Sequence, residues 1–264
     1  MIDAHIHLDQ YPRDKLAKWI EEWQSAGIQG VVAVASDLRS SYSLLEISER
    51  FPRFVFPCLG WHPEQRLPSE QELLELLNLI KTERHRLAGI GEIGLPHYTL
   101  KQAGERKLSP YVELLTEFVK AARALNLPVN LHAVHGQAEL VYGILQREQI
   151  EKAQFHWLKA EKKILEKIAA AGYYLSLTPE ICYRERDQWI ALHTPFEQLL
   201  LETDGPWKFS GPFQGKQTTP KFLRQSLTRL AELTNKTHES AKQQIHRNTL
   251  ALYAQIKMAK KGGK

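Results

Sequence analysis

The chain has 264 residues, 43% of them hydrophobic and 25% charged, with a formal net charge of +5. That length is ordinary for one α/β barrel, the composition allows a sizeable core, and the mildly basic balance permits a polyanionic partner without requiring one. Cys58 and Cys182 stand far apart, which excludes a disulfide framework and fits a reducing compartment. The start carries no basic-then-apolar leader and no stretch is an apolar run of about 18 residues, so a cytoplasmic, non-membrane protein is expected.

Short runs rich in Val, Ile, Leu and aromatics recur along the chain, separated by longer helical stretches. The predicted strands are "MIDAHIHL" (1–8), "GVVAVAS" (30–36), "FVFPCLGWH" (54–62), "LAGIGEIGL" (87–95), "LPVNLHA" (127–133), "KAQFHWL" (152–158), "YYLSLT" (173–178) and "QLLLETD" (198–204). Between them the apolar spacing is helical. Leu16, Trp19, Ile20 and Trp23 form one stripe. Tyr111, Leu114, Leu115, Phe118, Val119, Ala122 and Leu125 form a longer one. Ile164, Leu165, Ile168 and Ala169 precede Gly172, a C-terminal stop, and Ile245, Thr249, Leu252 and Ile256 line the last helix. Eight strand–helix units predict a parallel sheet closed into a (β/α)8 TIM-type barrel, which could be distorted, with its site at the C-terminal face. An open doubly wound sheet is the alternative, but no Gly-rich dinucleotide fingerprint follows the first strand. Residues 1–258 are read as one domain, and 259–264 as a basic, disordered tail.

The ionisable residues in these strands carry the functional argument. In "DAHIHL", His5 and His7 are two apart, so a strand aims both at one point. Taken alone, the pair could be two hydrogen-bonded imidazoles on a half-exposed strand. Glu92, His132, His156 and Asp204 change that reading, because each lies near the end of a predominantly apolar run. In a barrel those ends gather at one rim, where unpaired charges and imidazoles would be costly. Four histidines and two carboxylates exceed the shell of one tetrahedral ion and suit two ions about 3.5–4 Å apart with a bridging carboxylate. The chemistry expected of such a centre is hydrolysis. The donor types leave zinc, iron, manganese and magnesium open.

These residues sit in motifs that run nearly the whole chain: "IDAHIHL", "GWHPE" (61–64 within it), "GEIGL" (91–95), "LHAV" (131–134), "HWLKA" (156–160), "LLLETDGP" (199–206), "GKQTTPKFL" (215–223) and "RNTLALY" (247–253). In combination and order they resemble the TatD family of metal-dependent deoxyribonucleases, within the amidohydrolase-like barrels. The resemblance implies that His5 and His7 hold one ion, that Glu92 bridges, and that His132 and His156 hold the second. Asp204 would bind the first ion and handle the nucleophile's proton, which makes Asp204 and Glu92 the expected catalytic residues. His62 would face substrate, or else serve as a structural loop residue. The implied cofactors are two divalent ions, Mg, Mn or Zn.

The chain also departs from the family pattern. Pro96 stands where "GE-x-GLD" commonly carries Asp, and Ala133 and Val134 stand where a small residue and Arg usually follow the strand-five histidine. Trp157 replaces a Cys, and "ETDSP" reads "ETDGP" here. None of these changes touches the six expected ligands; they bear on the substrate. His135 or Lys159 could supply the missing cation for phosphate. Trp61, Trp157 and Trp207 flank motif residues, as base-stacking faces or as rim packing. The expected substrate-binding set is His62, Lys159, Trp157 and Trp207. A DNA phosphodiesterase is the leading expectation. An ester or amide hydrolase, such as an aminoacyl-tRNA deacylase or lactonase, is the alternative. A non-catalytic scaffold is the third, disfavoured by the intact ligand set. The sequence leaves oligomeric state open, with a monomer allowed.

Overall fold

A computed structural model describes residues 1–103 and 108–254. The expected tail, 259–264, and Ile256 lie outside the described residues. The eight strands are β1 (Ile2–Ile6), β2 (Gly30–Val34), β3 (Val55–Leu59), β4 (Gly89–Gly94), β5 (Val129–Val134), β6 (Ala153–Lys159), β7 (Tyr174–Leu177) and β8 (Leu199–Leu201). They form one parallel sheet in sequence order. The sheet returns on itself: Asp204 N donates to His5 O at 3.0 Å and His7 N to Gly205 O at 2.8 Å. The result is a (β/α)8 barrel. Strands buried on both faces need near-continuous apolar sequence, and "GVVAV" and "LLL" supply it.

The helices are α1 (Leu16–Ser25), α2 (Leu38–Arg50), α3 (Glu70–Glu83), α4 (Tyr98–Ala103), α5 (Ser109–Leu125), α6 (Gln137–Arg147), α7 (Lys162–Ala170), α8 (Glu185–His193), α9 (Leu223–Leu233) and α10 (His238–Leu252). Their starts follow local chemistry. Asp37 and Ser40 form a capping box on α2, and Ser69 and Glu72 form one on α3, satisfying amides that a helix leaves unpaired. Gly172, at φ +79, follows α7 in the left-handed conformation expected of a C-terminal stop. The stripes bury as predicted: Leu16, Ile20 and Trp23 on α1, Tyr111 to Ala122 on α5, and Ile164, Leu165 and Ile168 on α7. No helix among the described residues is long and apolar enough to cross a membrane.

The barrel interior is layered. Ile2, Ala4, Val32, Val34, Phe56, Cys58 and Leu200 fill one layer, joined by Leu252 and Tyr253 from the end of α10 and just beyond it. A polar layer lies on that plug. Tyr253 Oη donates to Gln154 Oε1 at 2.6 Å and accepts from Asn130 Nδ2 at 2.9 Å, while Gln154 Nε2 donates to Ser176 Oγ at 2.8 Å. These buried groups satisfy one another, as a low-dielectric interior demands. Asn130 Oδ1 then reaches His5 Nδ1 at 2.8 Å, so the plug supports the first residue of the candidate site.

Candidate metal centre

The six expected ligands converge at one mouth of the barrel. Glu92, on β4, is fully buried and sits at the centre. Its Oε2 lies 3.3 Å from His5 Nε2 and 3.2 Å from His7 Nε2. Its Oε1 lies 2.9 Å from His132 Nδ1, 3.2 Å from His156 Nε2 and 3.3 Å from His62 Nε2. Asp204 Oδ1 lies 3.5 Å from Nε2 of both His5 and His7. His5 and His156 stack at 3.8 Å between ring centroids.

Local backbone geometry makes this convergence possible. β4 and β5 approach so closely that a Cβ on Gly94 would lie 1.9 Å from the His132 carbonyl oxygen, so only glycine fits. The predicted strand 198–204 stops at Leu201, and Asp204 lies in the segment after β8 rather than closing it. Asp204 adopts φ 46, a left-handed geometry, with its amide bonded to His5 O and its carboxylate facing His5 and His7. Trp157, at φ 38, lies within β6 directly after His156, where the pairing with β5 shifts register between His132–His156 and Val134–Lys159. The "ETDGP" departure has a steric reason. A Cβ on Gly205 would meet the Tyr11 hydroxyl at 2.0 Å, and that hydroxyl donates to Thr218 O at 2.8 Å.

The electrostatics couple all of these groups. Burial opposes ionisation of Glu92, but the charges of His62, His156 and His5 and the His132 hydrogen bond hold its carboxyl well below the usual range. Burial likewise opposes charge on His5, and Glu92 with Asp204 outweighs it, raising that imidazole well above its ordinary value. His156 is pushed up to about 9 against burial and the charge of His5, by Glu202 and Glu92. His62 moves the other way, because burial outweighs its contact with Glu92. Asp204 stays below the usual carboxylate range despite burial, through its contact with His5 and the charges of His156, His5 and His7.

Three sets of donor atoms could hold a cation, each with its atoms within 4.8 Å of one another: His5, His7 and Glu92; His62, Glu92 and His132; and His5, His156 and Glu202. Among the described residues, His5 Nε2, Glu92 Oε2 and His132 Nε2 are buried without a hydrogen-bond partner. Leaving such an atom orphaned costs on the order of 1–3 kcal/mol, and a cation among them removes that cost. The residues present therefore fit divalent ions, with a mixed nitrogen and oxygen donor set.

Supporting residues that the sequence did not single out complete the centre. Asn130 holds His5 Nδ1, and Glu202 reaches His156 Nδ1 at 3.2 Å while accepting from the Trp157 amide at 2.8 Å. Such partners orient an imidazole and fix which nitrogen faces the ion. Glu64 accepts the amides of His97, Tyr98 and Thr99 at 2.7–3.0 Å and lies 3.5 Å from His132 Nε2. A carboxylate thus reaches this corner although Pro96 stands where the resemblance leads one to expect Asp. Glu64, inside "GWHPE", and Glu202, inside "LLLETDGP", stood in quoted motifs without a role assigned to them; Asn130 sits in a run that reads as plain strand. Replacing Asn130 with alanine is expected to weaken metal binding about 10–100-fold, measured by competition with a chelating dye, while circular dichroism stays unchanged.

The mouth opens into a cavity of about 830 Å³, lined by His7, His62, Glu92, His132, His156 and Asp204 together with Tyr98, Val134, Trp157, Lys159 and Trp207. All four expected substrate-binding residues border it. Lys159 Nζ donates to Tyr98 Oη at 2.9 Å and lies 4.0 Å from the Trp157 ring centroid. Trp157 packs with Phe209, Phe213 and Phe222 and is buried, whereas Trp207 is 56% exposed. Trp61, buried with its indole donating to Arg66 O at 2.7 Å, is a packing residue.

A (β/α)8 barrel that gathers imidazoles and carboxylates at one mouth defines the metal-dependent hydrolase class. Comparison with known proteins makes the assignment specific. The family model described as TatD related DNase matches residues 2–254. An uncharacterised metal-dependent hydrolase of Haemophilus influenzae is 35% identical over 96% of this chain and 99% of its own length. The human protein named Deoxyribonuclease TATDN3 is 29% identical over 97% of this chain and 96% of its own. The crystal structure of YJJV, a TatD homologue from Escherichia coli, has a TM-score of 0.86 at 23% identity and covers 96% of this chain and 98% of its own, which supports the fold. The chain belongs to the TatD family of metal-dependent hydrolases.

Proposed function

We propose that the protein hydrolyses phosphodiester bonds of DNA, on single strands or at ends, with two divalent ions at the floor of the pocket. The observation that carries this reading is the division of the Glu92 carboxylate: one oxygen faces His5 and His7, and the other faces His62, His132 and His156. His5, His7 and Asp204 would hold one ion and His132 and His156 the second, with Glu92 between them. His62 lies close enough to Glu92 to assist the second group or to meet substrate.

Bound divalent ions would polarise the phosphoryl centre and lower the pKa of a water molecule toward neutrality. The chain's own residues do the rest. Asp204, ionised and facing the His5–His7 pair, accepts the water's proton at its carboxylate. Lys159 offers a cation to a non-bridging phosphate oxygen from the pocket wall. Trp207 offers an exposed aromatic face to a base, and Trp157, packed beneath, forms the pocket wall beside it. All donors come from one chain, so a monomer suffices, with residues 1–258 acting as one domain. The free thiols of Cys58 and Cys182 suit a reducing cytoplasm. The donor set admits Mg, Mn or Zn.

A second reading, hydrolysis of an ester or amide, is favoured by Val134, an apolar residue on the pocket wall where the resemblance leads one to expect arginine. One panel separates the two. The protein is stripped with a chelator, reloaded with Mg, Mn or Zn, and given single-stranded DNA, duplex DNA, an aminoacyl ester and a lactone. DNA cleavage restored by metal is the expected result. Ester or lactone turnover with DNA left intact gives the second reading.

A further inference from the structure

We propose that the pocket continues into a second, basic chamber that holds the stretch of single-stranded DNA flanking the cleaved phosphate. The proposal rests on the phosphodiesterase reading above. A cavity of about 770 Å³ adjoins the metal-donor pocket, and the two share Trp157, Lys159, Trp207 and Lys208 as a common wall. Beyond that wall the lining includes Tyr183, Arg184 and Arg186, from the segment between β7 and the first turn of α8.

Glu180 organises this chamber. It is buried, accepts from the Trp157 indole at 3.1 Å, pairs with Arg184 at 3.4 Å and pairs with Arg186. One carboxylate therefore fixes an aromatic wall of the hydrolytic pocket and two cations of the neighbouring chamber. The Arg184 side chain remains 57% exposed despite that pair. The lining carries four cations, Lys159, Arg184, Arg186 and Lys208, against Glu180 and Glu185, with Asp187 also pairing Arg186 at 2.6 Å; the balance is still basic, as suits a polyanion.

Trp207 stands edge-on to Trp157 at 5.6 Å, with most of its ring in solvent. An exposed indole beside a row of cations is the pattern that tracks a single strand, because every base has a face to stack and every linkage a charge. One phosphodiester at the metal donors needs no such chamber, whereas a strand of several nucleotides does. The cations here also supply phosphate recognition that the Ala133–Val134 segment lacks.

The test uses the Mn-loaded full chain and a fluorescently labelled phosphorothioate 15-mer that resists cleavage, with binding read by anisotropy across a salt series. Arg184→Gln is expected to weaken binding about fivefold, and Arg184→Glu about twentyfold, with the slope of log affinity against log salt falling by about 0.7 for the neutral variant. Turnover of bis(p-nitrophenyl) phosphate, too short to extend from the metal-donor pocket into the chamber, stays within twofold of wild type in both. Oligonucleotide binding unchanged in both variants overturns the proposal, and so does an equal loss in small-substrate turnover, which means damage to the hydrolytic pocket. If wild type cleaves no phosphodiester while Arg184→Glu still loses oligonucleotide affinity, the chamber stands and the phosphodiesterase reading falls.

Discussion

Replacing Glu92 with glutamine is expected to reduce bound divalent metal from about two ions per chain to at most one and to lower kcat/KM on the order of 10³-fold. The substitution preserves size and shape, so the barrel around it has no packing reason to change. What it removes is one negative oxygen of the carboxylate that lies against both imidazole groups at their Nε2 and Nδ1 atoms. Five imidazoles lie 2.9–3.3 Å from this one carboxylate. Glutamine leaves a single acceptor oxygen, which can serve one group only, and an amide that donates toward nitrogens needed as ligands. Metal content by mass spectrometry of metals, with circular dichroism as the control for folding, checks both halves of the expectation. Unchanged metal content and unchanged activity mean that Glu92 bridges nothing.

Asp204→Asn is expected to behave differently. Its kcat should fall by about 10²–10⁴-fold, the range attributed to a positioned general base, while KM and metal content stay within a few-fold of wild type. Asparagine keeps an oxygen that can still face the His5–His7 pair but cannot take a proton. The backbone that aims this residue is untouched, since its amide donates to His5 O and its left-handed φ is one that asparagine adopts readily. The surrounding imidazoles keep the Asp204 carboxyl below the usual range despite burial, so wild type presents the ionised form throughout the neutral region. A variant as active as wild type removes Asp204 from the chemistry; one that loses its metal means that holding the first ion needs the carboxylate charge and not an oxygen alone.

The two variants thus separate holding an ion from moving a proton. Glu92 is expected to fail in metal content and turnover together, and Asp204 in turnover alone.

Much of the barrel was legible because each strand must be apolar on both faces. That requirement writes short runs such as "GVVAV" into the sequence, and all eight predicted strands overlap observed ones. The site was legible for the same reason: His5, Glu92, His132 and His156 stand out because they interrupt runs that otherwise exclude charge. Asp204 was recognisable in kind but misplaced in structure, since a left-handed residue outside the ladder leaves no periodic trace. The roles of Asn130 and of Glu202, the latter in plain view within "ETD", stayed hidden because a buried polar residue shows its purpose only when its partner, 125 or 46 positions away, is brought alongside. Glu180 and Arg184 were hidden more deeply. They belong to an irregular segment, where spacing carries no information and only the fold makes a wall of them.

The central claim is that Glu92 lies between two cations. Anomalous diffraction from crystals of the Mn-loaded protein tests it most directly. Two peaks about 3.5–4 Å apart are expected, on opposite sides of the Glu92 carboxylate, one beside His5 and His7 and the other beside His132 and His156. A lone peak out of reach of Glu92, or two peaks that do not share it, would mean that Glu92 does not lie between two cations.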